Sequence, residues 1–339
     1  MYLSLSVAII MTLPCFHSQR SGNEDPDDRI VGGIPINIKI FPWVVAIRRL
    51  GEEDIHCGGS IVASHLLVTA AHCFLRRGPE GQMVSENGSA FEIVSGTDDL
   101  TEPRSRTRIA SLIRPAGKEE YTPANKRNDI ILVKTVDKLN GRPVNLPKNK
   151  NQSFVNMTVY ASGFGAVREG GDSSIRLLTV EGRILPDSEC QQYYKKYNDL
   201  YYPETMICAG DLKGGKDACD GDSGGPQVVR IHESFVLVGI ISFGAGCARP
   251  SVPNVNTRIT RYLNFLRRNI QPVTKLVTTR KPLPVQTATP LPAIDSLAND
   301  HPLQVLLEPV QSLLSLLFGN SLPHYNDMAA DETTTKESR

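Results

Sequence analysis

Residues 217–226 read Asp-Ala-Cys-Asp-Gly-Asp-Ser-Gly-Gly-Pro. A serine flanked by glycines can be held on a sharp turn with its hydroxyl presented to an approaching carbonyl, and the glycines leave the surrounding backbone N–H groups unobstructed. Ser223 is therefore the candidate nucleophile. A serine hydroxyl is a weak nucleophile at neutral pH, so the reading obliges the rest of the chain to supply a base and a group that orients it. Two upstream stretches offer them: His72 in Thr-Ala-Ala-His-Cys (69–73) and Asp129 in Asn-Asp-Ile (128–130).

The surrounding pattern is one of short apolar runs broken by Gly, Pro and Asn. Residues 43–47, 60–69, 91–94, 130–133, 157–161 and 235–241 read as strands, being short and rich in β-branched side chains. Such spacing predicts an all-β barrel or sandwich. Residues 260–270 place Tyr262, Leu263, Leu266 and Ile270 at helical spacing and predict a closing amphipathic helix.

The chain has 339 residues, 40% of them hydrophobic, which is enough for a sizeable core. Its net charge of +1 gives no electrostatic footprint for a nucleic-acid partner. Residues 3–13 form an apolar run of signal-peptide length, short of a membrane span, although the usual basic start is missing; residues 1–18 are read as a signal peptide. Of seven cysteines, six remain if Cys15 leaves with the signal, which suits an oxidising compartment and leaves the pairing open. Paired CxxC spacing is missing, so no metal site is assigned.

Taken together, the 217–226 stretch, His72 and Asp129 in their settings, Arg-Ile-Val-Gly-Gly (29–33) and Ser-Phe-Gly (242–244) resemble the trypsin-like serine peptidases of the chymotrypsin fold, over about 240 residues. The resemblance implies two antiparallel β-barrels with the site between them, a C-terminal α-helix, and a peptidase domain over 30–271. It implies that His72, Asp129 and Ser223 are catalytic and that the N–H groups of Gly221 and Ser223 form the oxyanion hole. Ser242 would stand beside the aspartate. Asp217 would floor the specificity pocket, with Ala218, Phe243, Gly244 and Asn254 in its walls, and select Arg or Lys. The disulfides implied are Cys57–Cys73, Cys190–Cys208 and Cys219–Cys247. Residues 19–29 are polar and acidic, the composition of a cuttable activation segment. Cleavage between Arg29 and Ile30 would free an amine that pairs with Asp222. The partners implied are a protein or peptide substrate, a trypsin-like activating protease and a protein inhibitor.

Three departures from the family pattern stand out. Phe164, Phe243 and Phe265 replace tryptophans, leaving Trp43 alone. Asn254 takes the place of a glycine in the pocket wall, where its amide either projects toward Asp217 or turns away with the backbone. Thr97 stands where calcium-binding members carry a glutamate, so neither metal nor cofactor is expected. Asp220 either adds negative charge at the pocket entrance or is simply solvated. Asn87, Asn151 and Asn156 head glycan acceptor sequons, the last close to a predicted strand.

Residues 272–339 lie outside the resemblance. A Pro/Thr-rich stretch over 272–292 reads as a linker or glycosylated stalk, and the apolar 303–318 run is interrupted by Glu308 and Pro309. The segment is read either as a disordered tail with a partner-binding or membrane-surface patch or as a weakly docked or processed extension. The alternative for the whole chain is a catalytically silent relative that binds through its surface with an occluded pocket.

Overall fold

The computed structural model describes residues 31–196 and 200–270. The segments expected to be a signal peptide (1–18) and an activation segment (19–29), with Ile30 and the 272–339 extension, lie outside the described residues.

Among the described residues, fifteen strands and two α-helices follow one another. The first nine are β1 (Ile34–Pro35), β2 (Val44–Arg49), β3 (Ile55–Ala63), β4 (Leu66–Thr69), β5 (Leu75–Arg77), β6 (Met83–Ser85), β7 (Phe91–Ser95), β8 (Ser105–Ile113) and β9 (Ile131–Thr135). After them come β10 (Thr158–Gly163), β11 (Leu178–Ile184), α1 (Asp187–Lys195), β12 (Met206–Gly210), β13 (Pro226–Ile231), β14 (Ser234–Phe243), β15 (Asn254–Arg258) and α2 (Leu263–Ile270).

Strands β2, β3, β4, β9, β8 and β7 close into one antiparallel barrel. Strands β11, β10, β13, β14, β15 and β12 form the second, closed by pairing of β11 with β12, and β1 adds to the outer edge of β11. Closure leaves no long unpaired edge within either barrel, which suits short strands separated by turns. The expected fold is thus the observed one: all-β, two barrels, and a C-terminal helix. Ile47, Leu67, Ile93 and Ile131 are fully buried in the first barrel, where alternate strand positions turn inward; Leu132, next to Ile131, is buried on the other face of the strand.

Two readings need correction. The 60–69 run is not one strand: it spans the end of β3, a turn at Ser64 and His65, and β4, the polar Ser-His pair between Ala63 and Leu66 being the hairpin turn. The closing helix starts with a 3-10 turn, Ile259–Tyr262, before α2. Helix α1 was not expected at all. Its Asp187 and Glu189 sit in the first turn, where they complement the helix dipole, and Cys190 and Tyr194 turn inward.

Candidate active site

His72 stands in a 3-10 turn, Ala71–Cys73, that directly follows β4. The Cys57–Cys73 disulfide ties this turn back to β3, and the Thr69 hydroxyl donates to the Gly58 carbonyl at 2.7 Å. Asp129 precedes β9 and is buried. Its carboxylate accepts the His72 backbone N–H at 2.9 Å through Oδ1, while Oδ2 lies 2.7 Å from His72 Nδ1 and accepts the Ser242 hydroxyl at 2.5 Å. Both carboxylate oxygens are therefore satisfied, as a buried carboxylate requires.

A second anchor, which the sequence reading missed, holds the aspartate from the other side. Asn128 adopts φ of 59°, accepts the Tyr262 hydroxyl at 2.7 Å and donates to the Glu120 carbonyl at 2.9 Å; the Thr257 hydroxyl donates to the Asp129 carbonyl at 2.7 Å. The Asn128-Asp129 pair itself was the only signal of this, since an asparagine tolerates left-handed backbone better than most residues.

Ser223 lies in the connection between β12 and β13, and its carbonyl accepts the Gly58 N–H at 2.8 Å, joining the two barrels at the site. Gly221 has φ of 89°, a conformation that a side chain would strain. At Gly224 a Cβ would stand 2.0 Å from Thr69 Oγ1, so only glycine lets this turn approach the His72 strand. His72 and Ser223 face one cavity of about 300 Å³, lined also by Lys126, Ala218, Asp220, Ser242, Phe243, Gly244 and Asn254. Gly221 precedes Ser223 by two residues, and the backbone conformation at Gly221 sets the direction of the amides in this turn.

Electrostatics divide the two partners as a general base and its orienting acid require. Burial alone would lower the pKa of His72, but the charge and hydrogen bond of Asp129 outweigh it and raise it above the usual value, with Lys126 opposing. Burial would raise Asp129, yet the charge and hydrogen bond of His72 and the hydroxyl of Ser242 hold it below the usual carboxylate range.

The expected specificity pocket presents Asn254 rather than Asp217 to the cavity. Of the two orientations open to Asn254, the structure shows the inward one: Nδ2 donates to Asp217 Oδ1 at 2.6 Å and lies 3.4 Å from the Ala218 carbonyl. Asp217 also accepts the N–H groups of Ala218 and Ala248, each at 3.0 Å. Its carboxylate is buried and does not line the cavity; Asn254 does. Burial pushes the Asp217 pKa up to about 7, against the three donors. Asp220 is exposed and borders the cavity.

Asp222, next to Ser223, is fully buried and accepts the N–H of Gly165 at 2.9 Å and of Cys219 at 3.0 Å. No cation pairs with it among the described residues, and burial pushes its pKa up to about 6. The Asp217 N–H donates to the Val31 carbonyl at 3.1 Å, which seats the start of the described chain beside this segment. The three expected disulfides are formed, Cys190–Cys208 between α1 and β12 and Cys219–Cys247 across the pocket wall. Asn87, Asn151 and Asn156 are all exposed; Asn156 lies in the turn before β10 rather than within the strand.

Two closed antiparallel barrels with a histidine on one and a serine on the other, facing a shared cleft, define the class of two-barrel serine hydrolases. The family model named Trypsin matches residues 30–266, and the chain belongs to that family. It is 29% identical to the venom serine protease Bi-VSP of Bombus ignitus over 70% of this chain and 67% of that one. It is 32% identical to the proclotting enzyme of Tachypleus tridentatus, over 70% of this chain and 65% of that one. A venom protease of Bombus pensylvanicus is 30% identical over 69% of this chain and 96% of that one. The match thus spans about two thirds of the length of the first two relatives.

Proposed function

We propose that this chain is a secreted serine endopeptidase, made as a zymogen and activated by a trypsin-like protease that cuts between Arg29 and Ile30. The observation that carries the reading is the chain of contacts from Ser242 and buried Asp129 to His72, which faces Ser223 across one cleft. In this reading His72 Nε2 takes the Ser223 proton as Oγ attacks the substrate carbonyl. The Gly221 and Ser223 N–H groups stabilise the oxyanion, each contributing about 3 kcal/mol. His72 then delivers the proton to the leaving amine, and water hydrolyses the acyl-enzyme by the same route. Asp129 holds the imidazole tautomer and stabilises its cation.

Substrates would be proteins or peptides cut after Arg or Lys, drawn by the negative field of Asp217 and Asp220. The amide of Asn254 shortens the pocket and already satisfies the Asp217 floor, so turnover of Arg substrates is held low. The domain would run over 30–271, with residues 1–18 as signal, 19–29 as activation segment and 272–339 as an extension. Three disulfides and three exposed sequons suit an extracellular glycoprotein, open to a protein inhibitor in its cleft. Among the described residues no helix is long and apolar enough to cross a membrane.

The Asn254–Asp217 bond also favours a second reading, a silent binding protein whose pocket is closed. A serine-directed phosphonate, applied after cleavage at Arg29, separates the two. Covalent labelling that vanishes in Ser223→Ala supports the peptidase. Equal failure of the cleaved wild type and the variant to take the label supports the silent relative.

A further inference from the structure

The cleft carries a cation that the catalytic reading leaves unused. Lys126 sits near the tip of a small hairpin, closed by the Thr122 N–H to the Arg127 carbonyl at 3.0 Å and by the Arg127 N–H to Asn125 Oδ1 at 3.2 Å. Its φ of 55° is uncommon for a residue with a side chain, so the loop holds it in a conformation that must be supported by the surroundings. Its Nζ stands 4.9 Å from the centroid of the Phe243 ring, and the residue lines the cavity together with His72 and Ser223. Attraction to the ring face keeps the ammonium over the cleft while leaving its N–H donors open.

The neighbouring cation is differently placed. Arg127 is bound to Glu204 at 2.5 Å and stacks over Tyr202, away from this use. No carboxylate lies within ion-pair distance of Lys126 among the described residues. The acids that line the same cavity are Asp220 and Glu169, and both lie beside the Cys219–Cys247 disulfide. Glu169 is moreover held there by Arg249 at 2.6 Å and by the Cys247 N–H at 3.4 Å. The cleft is therefore divided in charge: negative at the pocket, positive at Phe243.

A substrate whose carbonyl reaches Ser223 and whose side chain enters between Ala218–Asp220 and Gly244–Cys247 has the rest of this cavity, lined by Phe243 and Lys126, open to the residues next to it. We propose that Lys126 is a specificity-determining residue that selects a carboxylate side chain on the acyl side of the scissile bond, among the residues just before the one that enters the pocket. An unpaired ammonium, only partly desolvated by an aromatic ring, attracts such a carboxylate and is indifferent to a neutral amide of the same shape. This inference rests on the peptidase reading above.

The test uses the full-length protein cleaved at Arg29 and pairs of fluorogenic peptides that differ only by Glu against Gln at one position before the scissile residue. For the wild type, kcat/KM for the Glu peptide should exceed that for the Gln peptide by roughly fivefold at the best position, the size of one exposed ion pair. The ratio should shrink in high salt, fall to about one in Lys126→Ala, and drop below one in Lys126→Glu. A merely structural lysine would not invert the ratio on charge reversal. A second readout is the acid limb of the pH profile. The charged groups acting on His72 are Asp129, bonded to Nδ1, and Lys126, with neutral Ser242 on Asp129. Removing the positive one should move the limb to higher pH. Enzyme that takes the phosphonate label but shows a ratio of one in the wild type overturns this inference alone. Enzyme that takes no label overturns the peptidase reading and this inference with it.

Discussion

At the scale of single residues, Asn254 decides more than any other departure from the family pattern. A glycine there would leave Asp217 exposed to the pocket; the asparagine covers it and supplies one of its three donors. Asn254→Gly should therefore reopen the floor, and kcat/KM for Arg substrates should rise about tenfold or more, equivalent to roughly 1.4 kcal/mol. An unchanged rate in that variant would show that the bond does not limit access. Asp129 gives a second expectation. Asp129→Asn keeps the shape but removes the charge that raises the His72 pKa, so kcat should fall by roughly 10⁴. The wild-type acid limb reports His72 itself: activity is lost as pH falls through a pKa lying above the ordinary histidine value, because the protonated ring cannot accept the Ser223 proton. The same raised pKa favours folding below the unfolded value near 6.5, and that contribution fades as pH rises through the folded one.

At the scale of elements, the site depends on how the closing helix region grips the loop that carries Asp129. Tyr262 is fully buried, and its hydroxyl donates to Asn128 Oδ1 at 2.7 Å. Tyr262→Phe fills the same space but leaves the asparagine oxygen without that donor, which costs about 1–3 kcal/mol. For a domain of this size the melting temperature should drop by roughly 2–4 °C per kcal/mol, measured by calorimetry. A melting temperature equal to wild type would mean that water replaces the hydroxyl. This contact also marks where the sequence stops being legible. The short apolar runs pointed only to an all-β barrel or sandwich; the two barrels, and which residues meet in the cleft, came from the resemblance carried by the 29–33, 69–73, 128–130, 217–226 and 242–244 motifs. The run over 60–69 was misread as one strand because its turn is only two residues, Ser64 and His65, with neither Gly nor Pro to mark it. Helix α1 escaped because its apolar face is narrow: only Cys190 and Tyr194 are buried, and the rest is polar. The direction of the Asn254 amide was open for a different reason. It depends on donors and acceptors brought from Asp217 and Ala218, thirty or more residues away along the chain.

At the scale of the whole molecule, the proposed activation would link a backbone cut to the stability of the second barrel, with a sign that pH reveals. In the uncut chain Asp222 is buried without a cationic partner among the described residues, and its pKa is pushed from the ordinary carboxylate value to about 6. A carboxyl group raised on folding favours the folded state when protonated, so its contribution is fullest below about pH 4 and is lost as pH rises to about 6, a change on the order of 3 kcal/mol. Cleavage after Arg29 would supply the Ile30 amine as a partner. The amine in turn has its pKa raised above an ordinary value of about 7.7–8, so its contribution is present below that value and lost as pH rises through the raised one. The cut and uncut proteins should therefore differ little in unfolding free energy at about pH 4. The cut form should be the more stable near neutrality, and the advantage should shrink again at strongly alkaline pH, where activity falls with it. Urea unfolding of the cleaved wild type against uncut Arg29→Gln, taken across this range, measures the difference directly, and Asp222→Asn should abolish its pH dependence. Full activity in uncut Arg29→Gln, or a stability difference flat across pH, would break the proposed pairing of Ile30 with Asp222.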